Sequence, residues 1–200
     1  IETIFSLARV VEHKDSDAAK HINRIALLSK TMAELLGMAP GYAESIFYAS
    51  AMHDIGNIMV SSDILLKPGQ LTAPEWNLVH QHPRHGADIL QLNEGSPFLA
   101  MGAEIAATHH ECWDGSGYPD RMAGERIPLS GRIVLLCDRY DAIRSKRPYK
   151  AARTHEEALR AILEGDERSQ PSQYDPDILS VFRRYNGHFE EAYEVDSTLH

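Results

Sequence analysis

Apolar residues return at helical spacing along most of this chain. Ile22, Ile25, Ala26, Leu28, Met32 and Leu35, with the small Ser29 between them, fall on one face of a helix. The pattern stops at Gly37, with Pro40 just beyond, which predicts a long helix over about 16–36. Pro40 to His53 reads as a second helix through Ala43, Ile46, Phe47, Ser50 and Ala51. After the turn in KPGQLTAPEW, Thr72 precedes Glu75 by three residues, the spacing of a capping box. Pro83 suits the first turn of a further helix, where an N–H has no intrahelical partner to lose. Ser96 to His110 is again apolar at helical spacing, and helix resumes in GRIVLLCDRYDAI, THEEALRAILE and DPDILSVFRRY. Strand-like alternation is almost absent. Residues 114–128 hold Gly115, Gly117, Pro119, Gly124 and Pro128 and form the longest irregular stretch, with room for at most a short hairpin. No repeat or linker interrupts the pattern, so the expected fold is a single all-α bundle over residues 1–200. Ile4, Phe5, Leu7, Ala8 and Val11 predict an N-terminal helix that packs on this domain or, as a homodimer contact, on a partner copy; core packing is the favoured option.

Composition narrows the class. A hydrophobic fraction of 43% and a charged fraction of 24% over 200 residues fit one globular domain. The formal charge of -9 opposes binding to a nucleic acid polymer or an anionic membrane, and it suits bound cations. No run approaches the roughly 18 apolar residues of a membrane span, and the amino end lacks a secretory pattern, so the expected location is cytoplasmic, without membrane insertion. The chain starts at Ile1, which suggests a domain excised from a longer protein with an N-terminal regulatory domain. Cys112 and Cys137 form no CxxC pair and read as reduced packing thiols.

The histidines and aspartates carry the chemistry. Asp17 and His21 lie four apart, so both project from one helix face and can reach one ion. His53 and Asp54 are adjacent where the chain bends at Gly56. His82 stands at a helix start, and His109 with His110 ends a helical segment just before a Gly/Pro turn bearing Tyr118. Asp138 follows the apolar run Ile133 to Cys137, where an unpaired carboxylate would be costly and needs a cationic partner. Any one of these histidines alone reads as a solvent-facing or hydrogen-bonded side chain; the ordered set does not. Mixed imidazole and carboxylate ligation suits Fe, Mn or Zn, and spacing does not rank them.

In one order over roughly residues 10–185 the chain carries D-x-x-x-H at 17–21, HDIG at 53–56, ILLKPGQLTAPEW at 64–76, HP at 82–83 with GADIL at 86–90, HHECWDGSGYP at 109–119 and DRYDAIRSKRPYK at 138–150. This set resembles the HD-GYP domains, the HD phosphohydrolases associated with cyclic di-GMP signalling. The resemblance implies an HD-domain helical bundle with an irregular GYP loop around two or three divalent metal ions, usually iron or manganese. Their ligands would be His21, His53, Asp54, His82, His109, His110 and Asp138, with Asp17 as a further one. It also implies a bridging Asp54, a water or hydroxide between the ions as nucleophile, and hydrolysis of cyclic di-GMP to pGpG and onward to GMP. Tyr118, Asp141, Arg147 and Lys150 would meet the nucleotide, with Asp141 alternatively a support for the ligands or a salt-bridge partner of Arg144. A GGDEF-type cyclase is the implied protein partner.

Two positions depart from that pattern. Asn57 stands in the catalytic segment where lysine is usual, and an amide supplies neither positive charge nor an ammonium proton. Loss of one transition-state donor costs on the order of 10²- to 10³-fold, which keeps open a catalytically weak nucleotide sensor or a GGDEF-docking module. Asp17 stands where trinuclear members carry glutamate. It is shorter by one methylene, while ligand distances are held to about 0.2 Å, so a binuclear site is expected.

Overall fold

The computed structural model describes residues 2–11, 18–91, 96–146 and 151–198. Among the described residues ten α-helices follow one another: α1 (Glu2–Val11), α2 (Ala18–Leu35), α3 (Pro40–Ser50), α4 (Ser62–Leu65), α5 (Ala73–Val79), α6 (His82–Gln91), α7 (Pro97–Thr108), α8 (Leu129–Arg144), α9 (His155–Glu164) and α10 (Pro176–Thr198). No strand occurs among the described residues, so the 114–128 stretch is a loop with one 3₁₀ turn at Gly124–Arg126 and not a hairpin.

The core lies where α2, α3, α7, α8, α9 and α10 meet. Ile25, Leu28 and Met32 of α2 pack with Ile46 of α3, Ile105 of α7 and Ile133 and Leu136 of α8, all with no exposed surface. Burying one such side chain contributes about 1.5–3 kcal/mol, so this set dominates the stability of the bundle. Tyr140 of α8 meets Phe182 and Phe189 of α10 edge to face, with centroids 5.8 Å away in each case. The Tyr140 hydroxyl would be costly to bury alone. It accepts from Arg144 Nη1 at 2.8 Å and pairs with His155 Nδ1 at 2.9 Å. Both cysteines are buried free thiols in this core.

The helix that the pattern runs from Pro40 to His53 ends at Ser50. Residues 51–54 turn, and a 3₁₀ segment follows at Ile55–Met59. Thr72 and Glu75 form the expected capping box at the start of α5. In α1, Ala8 is buried against Ile22 and Ala51 with Phe5 beside it, whereas Leu7 and Val10 face solvent, so one face packs on this domain. Helix α10 runs past the apolar segment seen in the sequence and kinks at Tyr185, where φ is -121° and ψ 25°.

Candidate metal centre

Five segments deliver imidazole and carboxylate groups to one end of the bundle. His21 lies in the first turn of α2. His53 and Asp54 occupy the turn after α3, and His82 opens α6. His109 caps the C-terminal end of α7 with His110 next, and Asp138 lies midway along α8. The turn at 51–54 closes tightly because Gly56 lets α6 approach: a Cβ there would sit 1.9 Å from the His82 carbonyl oxygen. Any other residue at 56 would push His82 away from Asp54.

The ligand atoms form two groups. One holds Asp54, His82, His109 and His110, the other His21, His53 and Asp138, and within each group one ligand atom per residue lies within 4.8 Å of the rest. They adjoin. The His53 and His109 rings are 5.2 Å apart, and the two oxygens of Asp54 divide between the groups. Oδ1 lies 3.1 Å from His82 Nε2 and 3.6 Å from His109 Nε2, while Oδ2 lies 3.9 Å from His53 Nε2.

Four of the histidines are tied back through Nδ1. His53 Nδ1 donates to the Ser50 carbonyl at 2.9 Å, His82 Nδ1 to that of Val79 at 2.8 Å, and His109 Nδ1 to those of Ile105 and Ala106 at 3.0 and 3.1 Å. His21 Nδ1 donates to Asp141 Oδ2 at 2.7 Å. A carbonyl or carboxylate oxygen only accepts, so each bond places the proton on Nδ1 and turns the Nε2 lone pair inward. Such backing bonds hold a metal-ligating histidine in one tautomer and orientation.

Electrostatics agree with this arrangement. Burial holds the His53 imidazole down at about 4, and burial likewise keeps His110 well below the usual histidine range, so both are neutral near pH 7. Burial pushes the Asp54 carboxyl up, but the neighbouring imidazoles of His53, His109 and His82 outweigh it and hold it well below its ordinary value. Asp54 Oδ1 is nevertheless buried with no hydrogen-bond donor. A charged oxygen without a donor, facing two inward lone pairs, is what a divalent cation satisfies, so the donor set fits a metal ion.

Of the residues singled out in the sequence, Asp17, Arg147 and Lys150 lie outside the described residues. Asn57 sits in the 3₁₀ segment beside the centre, its N–H donating to the Asp54 carbonyl at 3.0 Å. Tyr118 stacks on His110, with centroids 4.6 Å apart. Of the three readings of Asp141, as nucleotide contact, support for a ligand or partner of Arg144, its contacts agree with the second. It is 1% exposed and turned into the bundle, bonded to His21, Arg24 and Ser145, so it backs a ligand and does not face the nucleotide. Nor does it pair with Arg144, which reaches Glu194 instead at 2.6 Å.

Three residues escaped the sequence reading. Arg24, one helical turn after His21, is buried and forks onto Asp141. Glu111 is fully buried and accepts the Asp120 N–H at 2.6 Å and the Met122 N–H at 2.9 Å, fixing the loop that carries Tyr118. Its place beside His109 and His110 was the available signal. His80 stacks on Tyr118 at 4.1 Å, a contact between distant segments that no local spacing marks. In the same loop a Cβ on Gly117 would lie 2.4 Å from the His110 carbonyl oxygen, so that glycine is required by close approach.

An all-helical bundle that brings four and three imidazole and carboxylate groups together in adjoining clusters able to hold metal ions defines a protein of the His/Asp class. Residues 6–178 match the HD domain family, and the chain belongs to that family. It is 40% identical to a cyclic di-GMP phosphodiesterase of Thermotoga maritima over 192 residues, covering 96% of this chain and 51% of the relative. It is also 40% identical to a cyclic di-GMP phosphodiesterase of Vibrio cholerae over 191 residues, covering 90% of this chain and 38% of that protein. The chain thus spans about half or less of these curated relatives. A solved structure titled as a cyclic GMP-AMP specific phosphodiesterase of V. cholerae superposes with a TM-score of 0.67 at 18% identity, covering 99% of this chain and 53% of that one, and shares its fold. No helix among the described residues is long and apolar enough to cross a membrane.

Proposed function

We propose that this domain is a metal-dependent phosphodiesterase that opens cyclic di-GMP to linear pGpG and carries it on to GMP. The observation that carries this reading is the buried, donorless Asp54 Oδ1 set between the Nε2 atoms of His82 and His109. The names of the 40%-identical relatives support the substrate class. Asp54, His82, His109 and His110 would hold one ion and His21, His53 and Asp138 a second, with Asp54 able to serve both and Asp17 as a further ligand. Iron or manganese suits this mixed donor set, and two ions suit the shorter Asp17. When bound, such a pair supplies a water acidified towards neutral pH and positive charge against the phosphoryl oxygens.

The chain's own residues complete the pocket. Water adds to phosphorus, the bond to the 3′ oxygen breaks, and that oxygen takes up a proton. Asn57, next to the centre, steadies a phosphate oxygen by hydrogen bonding but has no ammonium proton to give, so the leaving oxygen is protonated by solvent and turnover is slow. Tyr118, braced by His80 and His110, walls the pocket. Arg147 and Lys150 bind guanine or phosphate, the guanidinium through paired hydrogen bonds. The GYP loop is the docking surface for a GGDEF-domain partner.

The test is chromatography of cyclic di-GMP, pGpG and cyclic GMP-AMP incubated anaerobically with Fe(II)- or Mn(II)-loaded protein. Appearance of pGpG and GMP from cyclic di-GMP is expected. Unchanged nucleotides with two ions bound would reject the enzyme in favour of a nucleotide sensor, the reading that Asn57 motivates.

A further inference from the structure

Beneath His21 lies a buried polar knot whose parts come from three helices. Arg24 is 5% exposed. Its Nε donates to Asp141 Oδ1, and its Nη2 reaches Asp141 Oδ2 at 3.3 Å and Ser145 Oγ at 2.9 Å. Ser145 Oγ in turn donates to Asp141 Oδ2 at 3.2 Å and lies 3.3 Å from the Tyr193 hydroxyl. The guanidinium also sits 5.0 Å from the centroid of the Tyr193 ring. Asp141 Oδ2 is the atom that holds His21 Nδ1.

Each group depends on the others. A buried carboxylate is tolerated only when paired and fully bonded, and here the pairing comes from Arg24 on one side and His21 on the other. Arg24 fixes both oxygens of Asp141, and Asp141 fixes the ring plane and tautomer of His21. Ser145 caps the end of α8. Tyr193 lies on α10 beyond the kink at Tyr185. The knot therefore links a candidate metal ligand on α2 to the last turns of the domain.

We infer that Arg24 is a positioning residue for the His21–His53–Asp138 centre, acting through Asp141, and that Ser145 and Tyr193 extend this control to the end of α8 and to the C-terminal part of α10. The inference rests on the metal-binding reading given above. Metal content and affinity of the full chain, measured with Mn(II) against a competing fluorescent chelator, test it without recourse to activity.

In Arg24→Met one of two ions should bind about 10- to 100-fold more weakly, the usual cost of losing a residue that orients a metal ligand, while the other stays within about twofold. Arg24→Lys keeps the charge without the planar fork and should recover part of the loss. Tyr193→Phe, which removes only the hydroxyl, should weaken the same ion by a few-fold. Arg132→Met is the control for general loosening, because it breaks the Arg132–Asp175 pair of 2.5 Å elsewhere in the bundle. It should lower stability and leave both ions bound.

Arg24→Met protein that loads both ions with unchanged affinity would overturn the inference and leave the metal reading standing. Equal metal loss in Arg132→Met would overturn it as well, by making the effect one of fold stability. Wild-type chain that binds no divalent ion would overturn both.

Discussion

The Nε2 atoms of His82 and His109 lie 3.4 Å apart. Each ring already spends its Nδ1 proton on a main-chain carbonyl, so two lone pairs face one another across this gap, with Asp54 Oδ1 beside them. Three acceptors in contact repel. A proton or a cation must sit among them, and a divalent ion satisfies all three at once.

Metal loading should therefore stabilise the fold. At free Mn(II) about 100-fold above the dissociation constant, an ion that binds only the folded chain contributes about 2.7 kcal/mol. For a domain of this size that is a rise of about 5–10 °C in the melting temperature. Differential scanning calorimetry with and without chelator checks it, and a melting temperature blind to metal would contradict the reading of Asp54.

Metal retention and nucleotide contact should separate by mutation. His109→Ala removes a ligand and should lower metal content by at least one ion per chain, while Tyr118→Phe should leave it unchanged. His80→Ala should raise KM for cyclic di-GMP several-fold by freeing the Tyr118 ring, and His80→Phe should restore the stack. Elemental analysis and steady-state kinetics on the four variants are decisive, and metal loss in Tyr118→Phe would refute this division of roles.

The helices were legible because their apolar spacing, glycine stops and capping box act within a few residues, as at Ile22–Gly37 and Thr72–Glu75. The candidate ligands were legible as motifs, but their partition into two groups was not: His53 sits next to Asp54 in sequence, yet its cluster partners are His21 and Asp138. Asp141 shows the limit most clearly. Its spacing from Asp138 put it near the site, and only the packing of α2 on α8, which delivers Arg24, turns it into the core. His80 and Tyr118 meet across 38 positions for the same reason: tertiary contacts leave no periodic trace.

Asn57→Lys should accelerate hydrolysis by about 10²- to 10³-fold, because it returns a cation and a proton donor beside Asp54. The gain should fall on kcat more than on KM, since the charge is used where the 3′ oxygen leaves. Single-turnover rates with Mn(II) measure it. An unchanged rate would mean that solvent already protonates the leaving oxygen efficiently.

Glu111→Ala should loosen the GYP loop without releasing metal. The buried carboxylate is the acceptor for the Asp120 and Met122 N–H groups, and a hydrogen bond to a charged group contributes about 1.5–3 kcal/mol. KM should rise and stability should fall, with the metal-to-protein ratio constant. A drop in that ratio would show that the loop also holds His110 in place.

The core makes a further prediction at alkaline pH. Burial pushes the Cys137 thiol up to about 12, from an ordinary value of 9.0. As pH rises through 9 the unfolded chain ionises this thiol first, while the folded chain keeps it protonated, so the unfolded state gains. The sign is therefore a loss of stability between pH 9 and 12, at about 1.4 kcal/mol per pH unit. Urea unfolding in chelator at pH 8 and 10.5 should show a drop of about 2 kcal/mol from this group. Cys137→Ala removes it, and its stability should fall less over the same interval by that amount, whatever the variant loses at pH 8 through packing. Parallel losses in both proteins would mean that the thiol ionises inside the fold, and that the centre of α8 opens to water.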